Sequence, residues 1–151
     1  MAKILLLSGP NLNLLGEREP EHYGTTTLAE LVALAGETAA KLGHDVEHVQ
    51  SNHEGALVDA IHGARGRCAA LIINAGALTH YSYAITDALA MFEGVKIEVH
   101  LSNPYAREGW RHVSVVSPVV DGTITGLRAE GYRLAVEAVA ARLTDTAGPR
   151  S

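Results

Sequence analysis

Glu98 and His100 stand two residues apart in Glu-Val-His-Leu-Ser-Asn (98–103). In an extended strand that spacing puts both side chains on one face. A carboxylate beside an imidazole fixes its tautomer and favours its charged form, which suits a general acid. The same two residues also read as a paired polar couple closing a strand. Arg18 and Tyr23 lie close together in a long segment, 9–24, that follows the first apolar run. Long connections often act as lids or binding loops, although a solvated loop holding a stray Tyr and Arg fits the same residues. Asn74, Gly76 and His80 follow another apolar run, where Asn and Gly also make an ordinary turn. Arg107 and Arg111 come after the Glu98–His100 pair, placed to turn back over it or to sit in solvent.

Several chemistries are excluded by position. The three lysines, Lys3, Lys41 and Lys96, open two strands and close a helix, so none is expected where strands end. That argues against a Schiff base. Cys68, the single cysteine, precedes a strand, which argues against a catalytic thiolate and excludes an intrachain disulfide. There is no Gly-x-Ser-x-Gly elbow and no His-Glu-x-x-His motif. Eight histidines keep a metal site conceivable, but a third ligand such as His80 must then converge on Glu98 and His100. The reading is no metal. Proton chemistry is left to Tyr23, His100, Glu98 and His80, with Arg18, Arg107 and Arg111 supplying charge.

These residues need a scaffold that gathers strand ends. The chain has 151 residues, 47% of them apolar, enough for one buried core. Four segments read as buried strands: Lys3–Ser8, Asp45–Gln50, 69–74 and Val95–His100, with a weaker fifth at 114–116. Helical periodicity falls between them, at 27–42, after Glu54, at 83–92 and at 127–143. Thr27 with Glu30, and Ser51 with Glu54, have the spacing of capping boxes, and Gly43 stops the first helix. Alternating strands and helices predict a flavodoxin-like, doubly wound, five-stranded parallel sheet in a three-layer α/β/α sandwich. Ligands of such folds bind beyond the carboxyl ends of the strands, where all the candidate residues fall. Residues 1–143 are read as a single catalytic domain and 144–151 as a polar tail. The net charge of −5, the absence of a Lys/Arg run, and one Trp and one Phe argue against nucleic-acid binding. The amino-terminal apolar run is too short for a signal peptide or membrane span, so a cytoplasmic protein is expected.

Taken in order, the segments 9–18 (Gly-Pro-Asn-Leu-Asn-Leu-Leu-Gly-Glu-Arg), Tyr23-Gly24, 50–55 (Gln-Ser-Asn-His-Glu-Gly), 72–80 (Ile-Ile-Asn-Ala-Gly-Ala-Leu-Thr-His) and 98–103 closely resemble the type II dehydroquinase family. The likeness runs from Lys3 to about Leu143. It implies reversible dehydration of 3-dehydroquinate to 3-dehydroshikimate by anti elimination through an enolate, with no cofactor and no metal. By the resemblance Tyr23 is the base and Arg18 the cation favouring its phenolate. Asn11 holds the water that stabilises the enolate oxygen, and His100 is the general acid, oriented by Glu98. Asn74 with the backbone N–H groups of Leu101 and Ser102 clamps the substrate carboxylate. His80 and Arg111 meet ring hydroxyls, Arg107 is a second lid arginine, and Asp87 reaches a neighbouring subunit's site. The resemblance further implies a dodecamer of four trimers and a place in the shikimate pathway or in quinate breakdown. Three departures stand out: Pro104-Tyr105 before Arg107, Trp110 where Phe is more usual, and a missing Gly after Gly126. A non-catalytic small-anion binding module on the same fold is the alternative. It has no need of Arg18 with Tyr23 plus Glu98 with His100.

Overall fold

The computed structural model describes residues 1–17, 21 and 24–145. Five parallel strands are arranged in the order β2-β1-β3-β4-β5: β1 Lys3–Ser8, β2 Asp45–Gln50, β3 Ala70–Asn74, β4 Val95–His100 and β5 Gly122–Thr125. This is the flavodoxin-like winding. The helices are α1 Leu28–Lys41, α2 Glu54–Ala64, α3 Tyr83–Ala90 and α4 Ala129–Asp145.

The core has two sides because side chains alternate along a strand. Ile4, Leu6, Ile72, Ile97 and Val99 point to one face and pack against Leu31, Ala35 and Ala39 of α1 and Tyr132, Ala135, Val136 and Val139 of α4. Leu5, Leu7, Leu71 and Ile73 point to the other, against Leu57 and Ile61 of α2 and Ile85, Ala88 and Leu89 of α3. The near-continuous apolar runs of β1 and β3 follow from this cover on both faces. β2 and β5 form the edges and are only partly buried.

The Thr27 hydroxyl accepts the Glu30 N–H at 3.2 Å, as its spacing predicts. The second capping box does not form. Ser51 Oγ instead accepts the His53 N–H at 2.9 Å, and Glu54 Oε2 accepts the Ser82 hydroxyl at 2.6 Å. The expected fifth strand at 114–116 is also corrected. Ser114 Oγ takes up the N–H groups of Val116 and Ser117, which folds that stretch into a turn, and Gly122–Thr125 pairs with β4 instead. The last helix begins at Ala129, two residues later than predicted, and continues through Asp145. Arg128 explains the delay. It lies in the left-handed region at φ 53°, a conformation that costs a non-glycine residue about 1–2 kcal/mol. The glycine that the resemblance leads one to expect after Gly126 is absent from this turn. The Arg128 guanidinium donates to the Glu21 carbonyl at 3.2 Å. Among the described residues no helix is long and apolar enough to cross a membrane.

Candidate active site

The winding reverses between β1 and β3, so their carboxyl ends diverge and leave a crevice. A cleft of about 110 Å³ opens there, lined by Pro10, Asn11 and Leu12 after β1, Asn74, Gly76, Ala77 and His80 after β3, and His100, Leu101, Ser102, Pro104, Arg107 and Arg111 after β4. Two arginines and two histidines face it and, among the described residues, no carboxylate lines it, which suits a small anion.

Gly9 makes the crevice possible. A Cβ there meets the Ala75 carbonyl oxygen at 2.4 Å, and the Gly9 N–H donates to the Asn74 carbonyl at 2.8 Å. Asn11 follows in the left-handed conformation, φ 69°, which Asn tolerates better than most residues. Its N–H donates to Asn52 Oδ1 at 2.9 Å, and Gln50 Nε2 donates to the Gly9 carbonyl at 3.2 Å. The 50–55 segment therefore fixes the loop carrying Asn11.

His100 and Glu98 share a face of β4, as their spacing requires. His100 Nε2 donates to Glu98 Oε2 at 2.6 Å, which leaves Nδ1 as the ring nitrogen not engaged by the carboxylate. Glu98 is 2% exposed and lies behind His100. Burial alone raises its pKa. The His100 N–H and charge, with hydroxyls from Ser117 at 2.5 Å and Ser114 at 3.0 Å, overcome that and hold it below the ordinary carboxylate range. Gly126 N–H and Arg128 N–H cap the carbonyls of His100 and Leu101.

A depressed native pKa gives stability that is present above the unfolded value of 4.5 and lost as pH falls through the native one. The melting temperature of a Glu98→Gln variant should lie well below that of the parent at pH 7, and the gap should shrink as pH falls below about 4.5. Thermal melts from pH 7 to 3 measure this; a gap independent of pH contradicts it.

Asn74 is 4% exposed and doubly held. Its Oδ1 accepts the Gly76 N–H and its Nδ2 donates to the Tyr132 hydroxyl, both at 3.1 Å. Burial pushes the Tyr132 pKa up to about 12, so the phenol stays neutral. His80 Nδ1 donates to the Val113 carbonyl at 2.7 Å, and burial lowers its pKa. The ring is therefore neutral near pH 7, with Nε2 as its acceptor. Arg107 Nη1 donates to Ser102 Oγ at 3.3 Å, and Arg111 Nε donates to Glu108 at 2.9 Å.

Of the candidates drawn from sequence, Asn11, Asn74, His80, His100, Leu101, Ser102, Arg107 and Arg111 converge on this cleft. Asp87 does not; it is exposed on α3, outside the cleft lining. Arg18 and Tyr23 lie outside the described residues. Sequence reading missed Gln50 and Asn52 as supports, and Ser114, Ser117 and Tyr132 as partners of site residues. For Tyr132 the signal was a Tyr on the apolar face of α4, since a buried phenol seeks a hydrogen bond. Cys68 is buried ahead of β3 and Lys96 Nζ is taken up by the Leu89 carbonyl, so neither reaches the cleft. Among the described residues no group of three or more His, Cys, Asp or Glu side chains is placed to hold a metal ion.

Fold and cleft together define a flavodoxin-like α/β protein with a hydrogen-bonded carboxylate–imidazole pair at a crevice lined by arginine and histidine. The chain belongs to the class II dehydroquinase family, whose model, described as "Dehydroquinase class II", matches residues 2–140. It is 53% identical over 140 residues to a 3-dehydroquinate dehydratase of Corynebacterium glutamicum strain R, covering 93% of this chain and 97% of that one. It is also 53% identical over 144 residues to 3-dehydroquinate dehydratase 2 of Pseudomonas putida, covering 95% and 97%. The solved structure of type II dehydroquinase from Propionibacterium acnes superimposes with a TM-score of 0.89 at 46% identity, over 93% of this chain and 97% of that one.

Proposed function

We propose that this chain dehydrates 3-dehydroquinate reversibly to 3-dehydroshikimate. The observation that carries the reading is the Glu98–His100 pair, whose imidazole faces a cleft that His80, Arg107 and Arg111 also line. Elimination of water next to a ketone needs a base, a place for enolate charge and an acid for the leaving hydroxyl. Tyr23 removes the proton beside the ketone, with Arg18 favouring its phenolate. Electron density moves onto the ketone oxygen, where a water held by Asn11 stabilises it. The enolate then collapses, the C–O bond breaks, and a proton from His100 carries the hydroxyl away as water. The ionised Glu98 supports the charged imidazole that this step needs.

Asn74 and the N–H groups of Leu101 and Ser102 hold the substrate carboxylate. His80 accepts a ring hydroxyl through Nε2, and Arg111 contacts another. Arg107, with Arg18, belongs to the lid. Asp87, exposed and away from its own cleft, serves the site of a neighbouring copy in a dodecamer of four trimers. No metal and no cofactor takes part. The reaction serves the shikimate pathway or quinate breakdown, in the cytoplasm.

The test is an ultraviolet assay of purified protein with 3-dehydroquinate, following the conjugated enone product. Absorbance should rise at the same rate with and without EDTA. A loss of rate restored by zinc contradicts the metal-free scheme. Folded protein with no rise at all leaves an anion-binding module in place of an enzyme.

A further inference from the structure

Trp110 stands between two of the cleft side chains. It lies in the short turn Gly109–Arg111, packed against the turn Gly76–His80 that follows β3. The Arg111 guanidinium carbon sits 4.0 Å from the centre of its ring. The His80 ring meets it edge-on, with centroids 5.5 Å apart and planes at 86°. One indole thus touches both residues read above as contacts to the substrate ring hydroxyls.

Neither neighbour is fixed fully by its other bonds. Arg111 is otherwise held through Nε by Glu108, whose side chain is half exposed. A long side chain tied only to an exposed carboxylate swings with it. The Arg111 side chain is nevertheless only 15% exposed, and its guanidinium carbon stands over the indole ring. Indole has the strongest π-face among the aromatic side chains, so it favours a cation there more than a phenyl ring does, and an aliphatic side chain favours none. His80 is anchored at Nδ1 by the Val113 carbonyl, which leaves rotation about that bond. The edge-on contact with Trp110 limits that rotation and aims Nε2.

We infer that Trp110 is a positioning residue that sets Arg111 and His80 for recognition of the ring hydroxyls of the substrate. The inference rests on the reaction proposed above. Trp110 contacts neither His100 nor Glu98 through any ring interaction seen here. Its loss therefore weakens binding and leaves the proton transfers in place.

The experiment compares the parent with Trp110→Phe, Trp110→Leu and Trp110→Ala in the enone assay, with circular dichroism melts recorded for each. Trp110→Leu and Trp110→Ala should raise KM about 5- to 30-fold, the fold-change of a cation–π contact of about 1–2 kcal/mol. Their kcat should stay within about threefold. Trp110→Phe should restore KM to within about threefold of the parent. A second readout uses the fact that the chain has one tryptophan. Titrating 3-dehydroquinate into a His100→Asn variant, whose turnover is expected to be about 100-fold slower or more, should change the indole emission saturably.

Equal KM values for the Phe and Leu variants mean that bulk alone matters, and overturn the inference. So does a loss confined to kcat, or a flat emission titration. If Trp110→Ala fails to fold, the Phe-against-Leu comparison decides. Parent protein without turnover overturns the reaction and this inference together, whereas an active parent with unaltered Leu and Ala variants overturns this inference alone.

Discussion

A His100→Asn variant is expected to turn over 3-dehydroquinate about 100- to 10,000-fold more slowly than the parent, the usual span of a lost general acid. Asn keeps a polar group of modest size but has no proton to deliver to a departing hydroxide. Substrate affinity should stay within a few-fold, because Asn74, His80, Arg107 and Arg111 line the cleft independently of the imidazole. Folding should survive: Glu98 still accepts the Ser114 and Ser117 hydroxyls. Steady-state kinetics with the enone assay separate the two parameters, and a nearly normal kcat removes His100 as the acid.

Tyr23→Phe is expected to lower kcat about 1,000-fold or more, with affinity again within a few-fold. An unperturbed phenol has a pKa near 10 and is mostly protonated at neutral pH, so Tyr23 needs a cation to act as a base, and Phe has no oxygen to ionise. The two variants should differ in one decisive respect. In deuterated water His100→Asn should still exchange the proton beside the ketone, since the proposed scheme forms the enolate before the hydroxyl is lost. Tyr23→Phe should not. Proton NMR of the substrate recovered from each mixture reads this directly. Exchange in both variants removes Tyr23 as the base, and exchange in neither points to a concerted elimination.

The elements that were legible from sequence are those whose residues carry one dominant force. β1 and β3 are covered on both faces, so their apolar runs are unbroken. α1 shows its buried stripe and its Thr27 cap. β5 was not legible because Gly122–Thr125 is a four-residue edge strand, partly exposed and opened by glycine. The segment 114–116 has better strand composition, yet its backbone is consumed by the Ser114 hydroxyl. That turn exists to carry Ser114 and Ser117 to Glu98, a tertiary demand that no local pattern shows. In the site, residues placed directly after strands were legible, because the fold brings strand ends together. The supports behind them were not. Tyr132 reaches Asn74 across 58 residues and Asn52 reaches the Asn11 backbone across 41, and only the folded chain brings such pairs together.

The Tyr132–Asn74 bond also bears on how the molecule comes into being. β1, α1, β2, α2 and β3 all precede Asn74 or contain it, and they emerge from the ribosome first. The Asn74 amide nonetheless lacks its phenol partner until α4, the last helix, has emerged and docked. A nascent chain therefore holds an unfinished crevice through about the second half of its synthesis. A chain clipped before the final helix loses this bond and also uncovers Ile97 and Val99, which Tyr132, Val136 and Val139 otherwise cover.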